Sequence, residues 1–228
     1  MRETALARSE IAAHPLALTT VGALQKHPAP VYLARLAPSS RRVSGDDAHA
    51  AIGTRDAAIL AVLYGAGLRR AEAVGLDLGD YDWRKGTLKV HGKGNKERVA
   101  YVGAGGRAAI EDWLELRGAT AGPLFWPVHR SGHIGPGRRL TAQAVLYLAR
   151  RRADDAHIDA FSPHDFRRSF VSDLLDAGVD LSSVQQLAGH AQVQTTARYD
   201  RRGDEAKAEA AKQLHVPYRR RRRSSLMA

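Results

Sequence analysis

The sequence contains no cysteine, which excludes disulfides, thiolate metal sites and a cysteine nucleophile. It has no uninterrupted run of about 18 apolar residues, so no segment reads as a membrane-spanning helix. The opening MRETALARSE has neither an apolar core nor a small-residue cleavage pattern, so it does not read as a secretory signal. A His-Glu-x-x-His zinc motif is missing. His129 and His133 stand four apart, but glycine and proline surround them and no third ligand is evident, which argues against metal there. Gly92-Lys93-Gly94 is not a P-loop, because residue 87 is threonine where that motif needs glycine and residue 94 is neither serine nor threonine. The expectation is a soluble, cytoplasmic protein that works without metal or cofactor.

What is present is ordinary in amount and uneven in charge. The 228 residues are 44% hydrophobic and 26% charged, enough for one domain with a buried core and a small appendage. Lys and Arg total 35 against 24 Asp and Glu, a net charge of +11, of which the run Arg219 to Arg223 supplies five. The remaining positive balance favours a polyanionic partner, DNA or RNA first. A basic protein with no nucleic-acid role is the alternative that charge alone leaves open.

Along the chain, residues 1–50 are rich in Ala, Pro and Ser, with prolines at 15, 28, 30 and 38. Their short apolar pieces are too interrupted for a core of their own. Thr54 is placed to cap a helix carrying Ile59, Leu60, Leu63 and Tyr64, ended by Gly65 and Gly67. A short helix follows over 69–75. Residues 87–91 and 97–102 alternate around a Gly-Asn turn, which predicts a hairpin. Further helices are expected over 106–117, from Thr141 to about 153, from Ser162-Pro163-His164-Asp165 to Gly178, and from Asp180 to Gly189. The third of these opens with a capping box and proline at the first helical position. Leu124-Phe125-Trp126 anchors the loop between them, and 204–214 reads as an Ala-rich helix. The fold class is mainly α with a small antiparallel β-hairpin or sheet.

The chemistry-bearing residues are basic groups and one tyrosine. His164 and Arg167, three apart near a helix N-terminus, make a phosphate site without metal. Alone, such a pair more often reads as surface ion pairing. Three further segments change that balance: Gly67-Leu68-Arg69-Arg70-Ala71-Glu72, the hairpin lysine Lys93 within GKGNKER, and Leu187-Ala188-Gly189-His190 with Tyr199 nine residues on. On these residues the sequence, over about 54–215, strongly resembles the tyrosine recombinase (phage integrase) family. The resemblance implies the catalytic fold of the DNA breaking-rejoining enzymes, double-stranded DNA as partner, and self-association into a tetramer on that DNA.

It also implies roles. Arg69 and Arg167 clamp the phosphate oxygens and stabilise the charge that develops on attack. Tyr199 is the nucleophile and forms a 3′-phosphotyrosyl bond. His164 accepts or relays its proton, Lys93 protonates the departing 5′ oxygen, and His190 hydrogen-bonds the phosphate. Glu72 orients the site from behind Arg69. Taken singly, each has a plain reading: a helix-end arginine, a turn lysine, a structural histidine, a half-buried tyrosine. Arg168 stands where many members have histidine.

The same resemblance divides the chain into 1–49, a truncated remnant of an N-terminal core-binding (SAM-like) domain with its linker, 50–216, the catalytic domain, and 217–228, a basic disordered tail. A shortened clamp would weaken DNA affinity and tetramer contacts. Two alternatives to a working site-specific recombinase or integrase therefore stand: a recombination-defective DNA-binding remnant, and a chain that only relaxes supercoils, as type IB topoisomerases do.

Overall fold

The computed structural model describes residues 48–92, 96–157, 162–200, 202–203, 208, 211–213 and 217. The centre is helix α1, Ala48–Gly65. Its residues Ala58, Ile59, Leu60, Val62 and Leu63 leave almost nothing exposed. A helix apolar on all sides is buried on all sides, so this one is a core element, packed on the later helices Ala104–Arg117 and Pro163–Asp176. Thr54 is not its cap. The alanines at 48, 50 and 51 are strong helix formers and nothing local stops them, so the helix starts upstream and Thr54 lies buried within it.

Two charges on α1 are buried as well, and both are paired, as buried charges must be. Asp56 accepts from Arg55 at 2.6 Å and from the Arg152 Nε and Nη2 at 3.0 and 2.8 Å. That second pair ties α1 to α4, Ala142–Asp155, whose Thr141 cap accepts from the Ala144 amide at 3.0 Å, as the sequence predicts.

Between α1 and α2 (Arg70–Gly75) the chain turns through Gly67, whose φ is +61°. A Cβ at Gly67 would lie 2.4 Å from the Phe170 ring. Only glycine suits both the left-handed backbone and that approach. The turn therefore sits directly on α5, Pro163–Asp176.

The expected hairpin is present as β2, Thr87–His91, and β3, Glu97–Tyr101. A two-residue strand not foreseen, β1 at Tyr81–Asp82, makes it a three-stranded antiparallel sheet in the order β1-β2-β3. Leu88 pairs with Ala100 and Val90 with Arg98. Leu88, Val90 and Ala100 are buried while Val99 and Tyr101 face out, the two-residue alternation of a half-buried sheet. Arg98 therefore takes an inward register position.

Helix α3, Ala104–Arg117, presents Ile110, Trp113 and Arg117 to the core. Trp113 Nε1 donates to the Leu124 carbonyl at 2.9 Å. The Arg117 guanidinium lies 4.0 Å over the Trp126 ring and donates to the carbonyls of Thr120 and Pro123 at 2.8 and 2.7 Å. Leu124-Phe125-Trp126 is thus the anchor the sequence suggests.

The last elements are α5, α6 at Leu181–Ala188 and α7 at Val193–Ala197. Asp165 accepts from the Ser162 amide at 2.9 Å with Pro163 at the first helical position. Asp180 accepts from the Ser183 amide at 2.9 Å, and Gly189 ends α6 in the left-handed region at φ +63°. Two hydrophobic clusters result. The larger surrounds α1 and includes Phe166. The smaller holds Phe170, Val171, Leu175, Val184 and Ala188, with Leu187 and Tyr199 against it. Helix α5 belongs to both, and Arg167 falls between its two contributions. The expected helix over 204–214 lies outside the described residues except for isolated positions, as does the chain before residue 48. Among the described residues no helix is long and apolar enough to cross a membrane.

Candidate active site

The site begins with a carboxylate. Glu72, on α2, is buried. Its Oε1 accepts from Arg69 Nη1 at 2.7 Å, and its Oε2 accepts from the Arg69 amide at 2.8 Å and from Arg98 Nη2 at 3.0 Å. Burial by itself raises this carboxyl, but the Arg69 amide, the Arg98 charge and the Arg69 guanidinium outweigh it and hold it below the usual range. Glu72 is therefore an anion bonded to both the amide and the guanidinium of Arg69. Arg69 keeps 48% of its side chain exposed, free for a ligand on its other edge.

Arg167 comes from 98 positions further along the chain and arrives almost fully buried, at 3% exposure. It donates through Nη1 to the Gly67 carbonyl and through Nη2 to the Ala188 carbonyl. One guanidinium thereby ties the turn before Arg69 to the end of α6 before His190. Burial lowers its pKa to about 10, with the neighbouring Arg69 charge adding to the effect, so it stays charged at neutral pH. Each bonded nitrogen of a guanidinium retains a second N–H, and Nε retains its own, so donors remain for an oxyanion.

His190 follows Gly189 in the loop between α6 and α7. Its Nδ1 lies 2.9 Å from Thr196 Oγ1, and Thr196 is fully buried. Its amide donates to the Gln185 carbonyl at 3.0 Å, and Gln185 Nε2 donates back to the His190 carbonyl at 3.1 Å. The ring is fixed in place and its Nε2 remains for a substrate. Desolvation, then the charges of Arg167, Arg69, His164 and Arg98, push its pKa down to about 4, so the imidazole is neutral at pH 7.

Arg69, His164 and Arg167 line one cleft of about 460 Å³. His190 and Tyr199 are not in its walls. They lie on the α6–α7 side of Arg167, close enough that its charge acts on His190 and that Tyr199 acts on Arg167. Tyr199 is half-buried against the smaller cluster, its amide donating to the Thr196 carbonyl at 3.0 Å. His164 is exposed at the first turn of α5. Arg168 is exposed and ion-pairs with Asp165 at 3.5 Å. Five of the other six expected residues, Arg69, Glu72, His164, His190 and Tyr199, thus lie around Arg167, and the remaining one, Lys93, lies outside the described residues.

Two participants escape the sequence reading. Arg98 joins Glu72 to the Leu187 carbonyl, reached at 3.2 Å, and its side chain leaves no room for a Cβ at Gly189. The signal available was its register: a charged residue at an inward position of β3. Thr196 gave no such signal, because its partner His190 is fixed only by the turn between them.

The phage integrase family matches this chain over residues 44–205. Tyrosine recombinase XerC of Chromohalobacter salexigens is 38% identical over 221 residues, covering 95% of this chain and 71% of that protein. XerC of Corynebacterium efficiens is 39% identical over 162 residues, covering 71% of this chain and 51% of its own length. The chain thus spans between half and three quarters of these relatives. The crystal structure of XerA recombinase superposes with a TM-score of 0.58 at 27% identity, over 77% of this chain and 66% of that one. XerH, solved on its difH substrate before cleavage, shares the fold at 23% identity and a TM-score of 0.59, over 80% of this chain and 51% of that one. The match over most of the chain and the gathering of the two arginines, two histidines and tyrosine lead to one conclusion: the chain belongs to the phage integrase family, the tyrosine recombinases.

Proposed function

We propose that this chain cuts and rejoins double-stranded DNA site-specifically through Tyr199. The observation that supports this best is the convergence of Arg69, the His164–Arg167 helix and the His190–Tyr199 segment, three separate stretches of sequence. The Tyr199 hydroxyl oxygen attacks phosphorus and gives its proton to His164. The bond from phosphorus to the 5′ oxygen breaks, and that oxygen takes a proton from Lys93. Arg69 and Arg167 hold the non-bridging oxygens as their charge grows. His190, neutral with Thr196 on Nδ1, donates from Nε2 to one of them. Attack by a 5′-hydroxyl on the phosphotyrosine reverses every step, so the energy of the phosphodiester is conserved and no nucleotide cofactor enters. The arginines supply the positive charge that metal ions supply elsewhere, so a chelator is expected to leave the rate unchanged.

The test is covalent trapping. Wild type and Tyr199→Phe are mixed with a pool of nicked duplexes of random sequence, denatured and run on a gel. A denaturant-resistant protein–DNA band with wild type only is the expected result. DNA shifted without any covalent band would instead identify a binding remnant. Relaxation of a plasmid lacking the recovered sequence would identify a topoisomerase-like activity. The same proposal assigns four copies to a pair of recombining duplexes, 1–49 to a DNA clamp and 217–228 to nonspecific DNA affinity. Deletion of 217–228 should flatten the salt dependence of binding, and sedimentation of the DNA complex reads the number of copies.

A further inference from the structure

The cleft beside Arg69 and Arg167 is wider in charge than one phosphate requires. It is also lined by Arg70 and Arg150, both exposed, and by no carboxylate among the described residues. Most of the neighbouring arginines have partners. Arg69 and Arg98 share Glu72, Arg152 is held by Asp56, Arg139 by Asp77 and Arg168 by Asp165. No ion pair of Arg70 or Arg150 occurs among the described residues. Gathering unpaired like charges around one cleft costs electrostatic self-repulsion, which a second anion would relieve.

The positions fit a second anion on the same strand. Arg70 is the first residue of α2, while Arg69 before it is extended, at φ −73° and ψ 151°, and both side chains line the cleft. Arg150 stands on α4 four residues after Leu146, on one helix face. Leu146 and Pro163 supply apolar lining to the same cleft, suited to a deoxyribose between two charged groups. Arg150 and Arg70 thus line, from α4 and α2, the same cleft as Arg69, His164 and Arg167.

Building on the strand-cleavage reading above, the geometry points to a second phosphate subsite: Arg70 and Arg150 bind the backbone phosphate next to the scissile one, with Leu146 and Pro163 against the intervening sugar. This contact reads no base. It sets the register of the strand, so that the scissile phosphate, and not its neighbour, meets Arg69 and Arg167.

The test neutralises one phosphate at a time. On the nicked duplex recovered from the random pool, single methylphosphonates are placed at each phosphate flanking the scissile one. Covalent-complex rates are compared for wild type, Arg150→Gln, Arg70→Gln and Arg130→Gln, the last an exposed arginine outside the cleft. One flanking methylphosphonate should slow wild type and Arg130→Gln about tenfold. Arg150→Gln and Arg70→Gln should each be slower than wild type on ordinary DNA, and each should lose less than wild type on the neutralised strand. Full sensitivity of Arg150→Gln to every flanking methylphosphonate would overturn the subsite. Should wild type form no covalent band at all, the cleavage reading fails separately, and the subsite is judged on binding to a 30-bp duplex. There Arg150→Gln should reduce the salt slope by about one and Arg130→Gln should not; equal slopes would overturn it.

Discussion

The two hydrophobic clusters carry the two halves of the candidate active site, and they are built differently. The larger packs α1 on α3, α4, α5 and the sheet and supports Arg69, Glu72 and Arg98. The smaller joins the second half of α5 to α6 and supports His190 and Tyr199, with α7 only five residues long. In the first half the two buried carboxylates are tied by ion pairs, Glu72 to Arg69 and Arg98 and Asp56 to Arg55 and Arg152. In the second, the ties are single hydrogen bonds, from Thr196 to His190 and from Gln185 to the His190 carbonyl. On the proposed cleavage reading the first half holds the phosphate and the second carries the nucleophile, and the second is expected to be the easier to open, since opening free energy follows the buried contacts an element makes. A nucleophile that must engage a strand and later release it is well placed on the cheaper half.

The sharpest way to break this comparison is Arg167, which belongs to neither half and bonds both. Arg167→Ala should lower the cleavage rate by about a thousandfold, since it removes a transition-state donor. It should also cost roughly 2 kcal/mol of stability by orphaning the carbonyls of Gly67 and Ala188. Arg167→Lys, which keeps the charge but not the fork, should restore DNA binding better than rate. Single-turnover kinetics and urea unfolding read the two effects.

Next come paired core deletions. Leu63→Ala and Leu175→Ala each empty a fully buried site and should each cost about 2–5 kcal/mol where the structure responds as one unit. Hydrogen exchange should show Leu63→Ala loosening the whole domain, and Leu175→Ala loosening mainly α6 and α7. Equal loosening everywhere would erase the distinction between the halves.

A smaller effect is expected where the halves touch. Arg98→Gln cuts the link from Glu72 to the Leu187 carbonyl and should slow cleavage about tenfold. Thr196→Val should do likewise through His190 alone, each loss reflecting one hydrogen bond to a charged or polar partner. Because Arg98 acts on both sides and Thr196 on one, the double variant should be less than additive.

The smallest effect is the response to acid. His190 has its pKa lowered from 6.5 to about 4 in the folded chain. Between those values the unfolded chain binds a proton that the folded one does not, so its contribution to stability is complete above about pH 6.5 and is lost as the pH falls toward 4. Melting temperatures measured from pH 7 to 4.5 should therefore fall less steeply in His190→Gln than in wild type. The cleavage rate should show no histidine limb from His190 near pH 6.5.

Much of the fold is readable locally. Thr141, Asp180 and the Ser162–Asp165 pair act on backbone groups three residues away, so their helix starts are written in short stretches of sequence. The hairpin is readable for the same reason, its two alternating runs being joined by one turn. The start of α1 was not, because alanines upstream of Thr54 carry no stop signal and the helix is buried on all faces, leaving no stripe to count. β1 has only two residues and exists because β2 is beside it. At the site, the motif residues are visible from their types and order. Arg98 was missed because its partners lie 26 and 89 positions away.

By itself, then, the amino-acid sequence determined the helical and hairpin elements, the absence of thiol chemistry and the residues that bear charge or a nucleophile, since these depend on side-chain type and on neighbours within a turn. Only the tertiary structure decided which arginine is buried and which is free, that Glu72 is shared by Arg69 and Arg98, and that His190 is held neutral beside Thr196. Those outcomes depend on desolvation and on charges brought together across the chain, and neither exists until the two clusters have packed against α5.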